Sequence, residues 1–343
     1  MLYKKFIRKI LFLFDAETIH NFTLKIFSKV TFLYPILKLM FSPEADPVIK
    51  IKGLKFKNRL GLAAGFDKNG IAIRFWETIG FSHLEVGTVT PLPQPGNPKP
   101  RIFRLKEDEA IINRLGFNNK GADEVRRNIL EARKSTDKDF IIGVNIGKNK
   151  NTPVKDAVTD YKKCFEILYD AADYFTINVS SPNTEGLRLL QEEKYLDELL
   201  SEINGLNELL SGSNGEQLKP VFLKIAPDLS PEMTGLIYKL VTKNKLSGII
   251  ATNTTVERVN LKSRINEQGG LSGKPLKQMS DKVLRNLNEI NKENSVDPVF
   301  LIAVGGVFDK NDFQNKLNNG ASLVQIYTGF IYEGPSVLKK ILN

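Results

Sequence analysis

Tyr174-Phe175-Thr176-Ile177-Asn178-Val179-Ser180-Ser181-Pro182-Asn183-Thr184 passes within one segment from an apolar run to a cluster of donors, acceptors and hydroxyls. The run reads as a buried strand, and Pro182 stops it from continuing as a regular ladder or helix. The polar side chains are therefore delivered at the strand's C-terminal end. Ser, Pro and Asn also form ordinary turns, so this segment alone does not separate a site from chain punctuation. The rest of the chain does. Short apolar runs at 60–64, 83–88, 140–145, 174–179, 221–225, 248–252, 299–304 and 323–327 alternate with longer helical patterns. That alternation argues for βα units on a parallel sheet, and eight of them for an α/β fold closed as a (β/α)8 TIM barrel. A small hairpin, 48–51 with 54–56, is expected before the first unit.

The residues just past the runs sharpen this reading. They are Gly65 with Asp67 and Lys68; Thr88; Asn145; Asn178 with Ser181; Lys224; Thr252 with Asn253 and Thr254; Gly305-Gly306; and Tyr327-Thr328-Gly329. Such a barrel assembles its active site from the loops at these ends, so eight polar or glycine-bearing ends point to one site. The glycines after the last two runs suit a phosphate held by backbone N–H groups, which implies a phosphorylated cofactor. Neither end carries a Rossmann fingerprint or a P-loop.

With 343 residues, 41% of them hydrophobic, the chain can bury a large core. One Cys excludes an internal disulfide, and with two His it leaves too few soft ligands for a zinc or iron–sulfur site, so no metal is expected. Cys164 lies in a helical pattern and reads as a structural thiol. His83, inside the second run, reads as a packed structural residue. The net charge of +10 is uneven: residues 1–40 hold Lys4, Lys5, Arg8, Lys9, Lys25, Lys29 and Lys38 against Asp15 and Glu17.

In that segment Phe6, Ile7, Ile10, Leu11, Leu13 and Phe14 share one helical face, and Ile19, Phe22, Ile26, Val30 and Leu33 a second. Two short amphipathic helices follow, the domain division being 1–40 and 41–343. Neither helix reaches the roughly 20 apolar residues of a membrane span. Capping of the barrel competes with a seat in the membrane interface, and large aromatics flanked by Lys and Arg favour the membrane. Each buried large apolar side chain contributes about 1.5–3 kcal/mol and each basic residue near anionic lipid about 1 kcal/mol.

The chain closely resembles the membrane-bound, quinone-linked class of the dihydroorotate dehydrogenase family along nearly its whole length. The resemblance rests on Gly61-Leu62-Ala63-Ala64-Gly65-Phe66-Asp67-Lys68, Glu85-Val86-Gly87-Thr88-Val89-Thr90-Pro91, Asn113-Arg114-Leu115-Gly116-Phe117-Asn118 and Asn145-Ile146-Gly147-Lys148-Asn149. It continues through Asn178 to Thr184, Lys224-Ile225-Ala226-Pro227-Asp228, Ala251-Thr252-Asn253-Thr254-Thr255 and Gly269-Gly270-Leu271-Ser272-Gly273. It implies FMN as cofactor, oxidation of dihydroorotate to orotate in pyrimidine synthesis, and ubiquinone or menaquinone as acceptor. By position, Ala64, Gly65, Thr88, Asn145, Asn178, Lys224, Thr252, Gly273, Gly306, Tyr327 and Thr328 match the FMN site. Lys68, Asn113, Arg114, Leu115, Gly116, Phe117, Asn178, Asn183, Asn253 and Thr254 match the substrate site. Ser181 matches the base that takes the C5 proton while the C6 hydride leaves for the flavin, with Thr184 and an ordered water as the proton's way out beside Phe117. His20, Arg104 and Tyr327 match the quinone site.

A cation and several amides are what a planar ligand with one carboxylate requires, which agrees with Lys68 and the Asn side chains. In the soluble classes a Cys usually holds the position of Ser181, and the N-terminal helical extension is absent. Phe66 and Leu115 depart from the common residues at their positions. Segments 184–191 and 256–269 are the expected lids. A peripheral monomer on the cytoplasmic side of a bacterial inner membrane, attached through the N-terminal helices and binding no nucleic acid, is the expectation. Removal of residues 1–40 is expected to release the protein from membranes and cripple quinone reduction while sparing dihydroorotate oxidation. The rival is a dihydrouridine synthase-like flavin barrel working on RNA, which the basic charge suits. Against it stand the missing catalytic Cys and the absence of a second basic domain. A non-catalytic membrane-surface protein binding a phosphate ligand is a third reading.

Overall fold

The computed structural model describes residues 2–44, 48–215, 217–258, 260–265, 267–294 and 298–343. The chain opens with a wide helical turn, Tyr3–Ile7, that runs into α1 (Arg8–Leu11), followed by α2 (Ala16–Lys29) and α3 (Tyr34–Phe41). The hairpin β1 (Ile49–Ile51) and β2 (Leu54–Phe56) precedes the first barrel unit, β3 (Leu60–Leu62) with α4 (Ile73–Thr78). After β4 (His83–Val89) comes an insertion, β5 (Ile102–Leu105) and β6 (Ala110–Asn113), before α5 (Ala122–Arg133). The units β7 (Ile141–Ile146) with α6 (Ala157–Leu168), β8 (Tyr174–Asn178) with α7 (Glu193–Asn214), and β9 (Val221–Ile225) with α8 (Pro231–Lys243) follow. β10 (Gly248–Ala251) leads to β11 (Gly270–Gly273) and α9 (Lys277–Glu293). The chain ends through β12 (Phe300–Val304), α10 (Lys310–Asn318), β13 (Leu323–Ile326), α11 (Thr328–Glu333) and α12 (Val337–Leu342).

The eight expected runs form a closed parallel barrel in the order β3-β4-β7-β8-β9-β10-β12-β13. Their near-continuous apolar character follows from burial on both faces, against the helices outside and the filled barrel within. Side chains alternate between these two environments, and that parity places the chemistry. Tyr174, Phe222, Ile250, Ile302 and Leu323 form the inner apolar layer with Ile51 and Phe56 of the hairpin, which closes the lower end. Two residues further along the same strands stand Thr176, Lys224, Thr252, Val304 and Gln325, nearer the C-terminal mouth. A glycine makes room for one of these rings: a Cβ on Gly143 would fall 2.0 Å from the Tyr174 ring. His83 is buried here too, its Nδ1 bonded to the Ser82 hydroxyl at 2.8 Å.

A three-stranded antiparallel sheet, β5-β6-β11, lies beside the mouth and was not anticipated. The N-terminal segment also differs from the two expected helices. Val30 leaves helical geometry, a single turn covers Thr31–Leu33, and Pro35 in the first turn of α3 begins a third helix. One side of this layer packs on the barrel: Leu24 and Tyr34 are buried, Phe27 stacks on Phe75 with centroids 3.8 Å apart, and Phe12 meets Tyr332 edge-on. The other side exposes Phe6, Ile10, Leu13, Phe22, Phe32 and Leu39. The capping reading therefore describes the packed stripe, and a second apolar stripe stays exposed, because each helix carries apolar residues over more than one stripe.

Candidate active site

The polar strand ends converge on an open cavity of about 940 Å³, mouth included. Ala64, Gly65, Lys68, Thr88, Asn113, Leu115, Gly116, Phe117, Asn178, Ser181, Asn183, Lys224, Thr252, Asn253, Thr254, Gly273, Gly306, Tyr327 and Thr328 all line it. Asn145, Arg114, Thr184, His20 and Arg104 are not on its wall. Asp67, also at a strand end, turns away: its buried carboxylate accepts from the N–H groups of Ile71 and Ala72 and from the Trp76 indole.

The floor is organised by Glu85, an acid to which neither the strand pattern nor the resemblance assigns a role. Its fully buried carboxylate accepts from Asn145 Nδ2 at 2.8 Å, Gln325 Nε2 at 3.0 Å and the Tyr174 hydroxyl at 3.3 Å, and Lys224 Nζ lies 3.6 Å away. Burial and the Glu85 charge push the Tyr174 hydroxyl well above its ordinary pKa, which keeps it a donor. With Nδ2 committed to Glu85, Asn145 turns Oδ1 toward Thr88 Oγ1 at 2.5 Å and Asn178 Nδ2 at 3.0 Å. Asn178 Oδ1 then accepts from the Ser180 N–H at 3.2 Å and hydroxyl at 3.1 Å. One buried charge thus orients a run of amides leading to the mouth. The acid was visible within an apolar strand, but its partners come from β7, β8, β9 and β13.

At the mouth, Ser181 is 6% exposed and its Oγ accepts from the Asn183 N–H at 3.3 Å. Asn183 Nδ2 donates to Asn113 Oδ1 at 3.1 Å, and Lys68 Nζ to Asn118 Oδ1 at 2.5 Å. Burial, with Arg101 adding to it and Glu17 opposing, pulls the Lys68 pKa down to about 7. The Thr184 hydroxyl is buried without a hydrogen-bond partner among the described residues. Arg114 sends its side chain away from the cavity, to Glu267 at 2.5 Å and the Pro100 carbonyl at 3.0 Å. It thereby ties segment 256–269 to the loop before β5; residues 259 and 266 of that segment lie outside the described residues. Segment 184–191 contains a helical turn, Leu187–Gln191, with Leu187 and Leu190 buried.

The opposite corner is built from backbone. A Cβ on Gly306, whose φ is +73°, would lie 2.4 Å from Lys277 Cβ, so the main chain itself forms that wall. Ser272 and Thr328 join hydroxyls beside it at 2.8 Å. The Gln325 Oε1 is buried at the cavity wall without a hydrogen-bond partner among the described residues. A cation and oriented amides at one end, glycine backbone at the other and an unused acceptor between them fit a planar heterocycle carrying a phosphate ester.

Toward the N-terminal helices the wall is aromatic. Tyr327 packs edge-on against Phe66 at 5.2 Å, and Phe66 against His20 at 5.0 Å. His20 Nε2 donates to the Phe66 carbonyl at 2.8 Å, and burial pushes its pKa down to about 4, so the ring is neutral. Arg104 stands apart from this row, holding the Leu11 and Phe14 carbonyls and lying over the Phe12 ring at 4.6 Å.

A family model described as dihydroorotate dehydrogenase matches residues 48–343. A protein of Christiangramia forsetii named dihydroorotate dehydrogenase (quinone) is 49% identical over 345 residues, covering 99% of this chain and 97% of that protein. One of the same name from a Shewanella species is 46% identical over 344 residues, covering 100% and 98%. Among solved structures, dihydroorotate dehydrogenase of Eimeria tenella in complex with ferulenol superposes with a TM-score of 0.85 at 37% identity, covering 95% of this chain and 89% of that one.

Proposed function

Because the chain belongs to the dihydroorotate dehydrogenase family, we infer that it oxidises dihydroorotate to orotate and hands the electrons to a quinone. It is a flavin-dependent oxidoreductase, and FMN is the flavin whose single phosphate suits the glycine corner. The observation that carries the reading is the convergence of Ser181, Lys68, Asn113, Asn178, Asn183 and Asn253 on one cavity that also holds Lys224 and that corner.

In this reading Lys68 binds the substrate carboxylate, and the Asn amides, with Thr254 and the 114–117 loop, fix the ring's orientation. Ser181 removes the C5 proton. Its seclusion from bulk water helps a weak base, and the free Thr184 hydroxyl suits an ordered water that carries the proton past Phe117. Bound flavin supplies the acceptor for the hydride that leaves C6. Ala64, Gly65, Thr88, Asn178, Lys224 and Thr252 would hold the flavin's ring end, with Asn145 behind them aligning Thr88 and Asn178, and Gly273, Gly306, Tyr327 and Thr328 would hold its phosphate end. Lys224 favours negative charge at the ring, while Glu85 keeps that ammonium in place.

The N-terminal layer forms a module, 1–40, that seats the protein peripherally on the cytoplasmic face of an inner membrane as a monomer. Among the described residues no helix is long and apolar enough to cross a bilayer. Phe6, Ile10, Leu13, Phe22, Phe32 and Leu39 enter the interface, with Lys5, Lys9, Lys25, Lys29 and Lys38 exposed around them for anionic lipid. Ubiquinone or menaquinone then approaches through this layer, toward His20 and Tyr327 with Phe66 between them, while Arg104 closes the end of α1. Dihydroorotate added without oxygen should bleach the long-wavelength flavin band; persistence of the oxidised spectrum would sink the reaction.

A further inference from the structure

Helix α2 reaches further into the protein than membrane attachment requires. Glu17, in its first turn, is 5% exposed, and its carboxylate accepts from Arg101 Nη2 at 2.6 Å and Nε at 2.9 Å. Arg101 is 6% exposed, and its Nη1 donates to the carbonyls of Pro95 at 2.7 Å and Asn97 at 2.6 Å. Asn97 Nδ2 bridges two loops, donating to the carbonyls of Arg114 at 3.1 Å and Asn183 at 3.0 Å, while its backbone N–H donates to Leu115 at 3.0 Å. The seam leaves little slack. A Cβ on Gly96 would stand 2.3 Å from the Leu115 carbonyl and 2.8 Å from the Arg101 guanidinium.

We propose that Glu17 is a positioning residue for the dihydroorotate site, acting through Arg101 and Asn97 on the end of β6, which carries Asn113, and on the loop after β8, which carries Ser181 and Asn183. The inference rests on the reading of the cavity as that site. An ionised Glu17 neutralises Arg101 and aligns its fork, so that the remaining nitrogen can hold both carbonyls of the 95–97 turn. Without the carboxylate, a buried guanidinium seeks another partner and the turn relaxes. Exposed Lys99, 3.6 Å from Glu17 Oε1, offers no equivalent acceptor. The expectation that removal of residues 1–40 spares dihydroorotate oxidation changes accordingly: the truncated protein loses substrate affinity as well as its membrane seat.

The test uses the full-length holoprotein and anaerobic stopped-flow reduction of the flavin by dihydroorotate. Glu17→Gln should raise the half-saturating concentration by about tenfold and change the limiting rate by less than about threefold. Arg101→Lys keeps a cation opposite Glu17 but cannot serve the same acceptors, and should do likewise, which keeps the test open if one variant folds poorly. Lys4→Gln cuts a different tie of the N-terminal layer, the 2.7 Å pair with Glu333, and should saturate as wild type does. Wild-type half-saturation in Glu17→Gln overturns the proposal, and so does an equal shift in Lys4→Gln, which would mark general loosening of the layer. A wild-type flavin that dihydroorotate does not reduce overturns the reaction itself, together with the proposal.

Discussion

Lys68 offers the sharpest test of the substrate end, because its charge is balanced near neutrality. Its pKa of about 7 follows from burial and from Arg101, with Glu17 pulling the other way. Only the ammonium binds a carboxylate strongly. With that pKa the side chain is about nine-tenths charged at pH 6 and about one-tenth at pH 8, so the dihydroorotate dissociation constant should rise about tenfold, or about 1.4 kcal/mol. Neighbouring groups stay out of this window. His20 titrates at about 4, and although burial raises the Glu17 pKa, its bonds to Arg101 outweigh that and hold it below the usual range. Lys68→Arg, whose guanidinium keeps its proton, should flatten the pH profile. Equilibrium titration of the flavin spectrum with orotate or dihydroorotate from pH 6 to 8 reads both. A flat wild-type profile, or an equal slope in Lys68→Arg, would refute the assignment of Lys68 to the carboxylate. The same shift has a folding consequence. Between pH 7 and the ordinary lysine range the unfolded chain binds the extra proton, so the Lys68 contribution to stability rises with pH across that interval.

Ser181→Ala should keep its flavin yet be reduced by dihydroorotate roughly 10²–10⁴-fold more slowly in rapid mixing; an unchanged rate removes Ser181 as base. Ile10→Ser with Leu13→Ser removes two exposed apolar contacts, 58% and 80% accessible, and should weaken co-sedimentation with anionic vesicles while leaving the melting temperature within a few degrees. Equal sedimentation would mean that this face does not enter the bilayer. Phe66→Ala empties a position touching His20, Trp76, Tyr327 and Phe330 at ring distances of 5.0–5.4 Å. It should cost about 3–5 kcal/mol in denaturant unfolding, and a loss below about 1 kcal/mol would show that neighbouring rings fill the space.

Much of the barrel was legible because its two signals are local. Strands buried on both faces must be apolar, and a site at their C-terminal ends must place polar or glycine residues there; Asn178, Lys224 and Thr252 announce both within a few positions. The sheet beside the mouth was not legible: β6 and β11 pair Asn113 with Gly270, far apart in the chain. Helix α3 was missed because the apolar residues of Thr31–Leu33 continue the stripe of α2 across a break that only the backbone shows.

By itself the sequence determined the eightfold alternation, the residue types at the strand ends and the basic, apolar character of the N-terminal segment, since each follows from periodicity or local charge. Only the tertiary structure decided which of those side chains share a cavity, that Glu85 orients its amides, and that Glu17 reaches Arg101, a residue 84 positions away. Burial and hydrogen-bond geometry arise only once distant segments meet, and no local pattern encodes them.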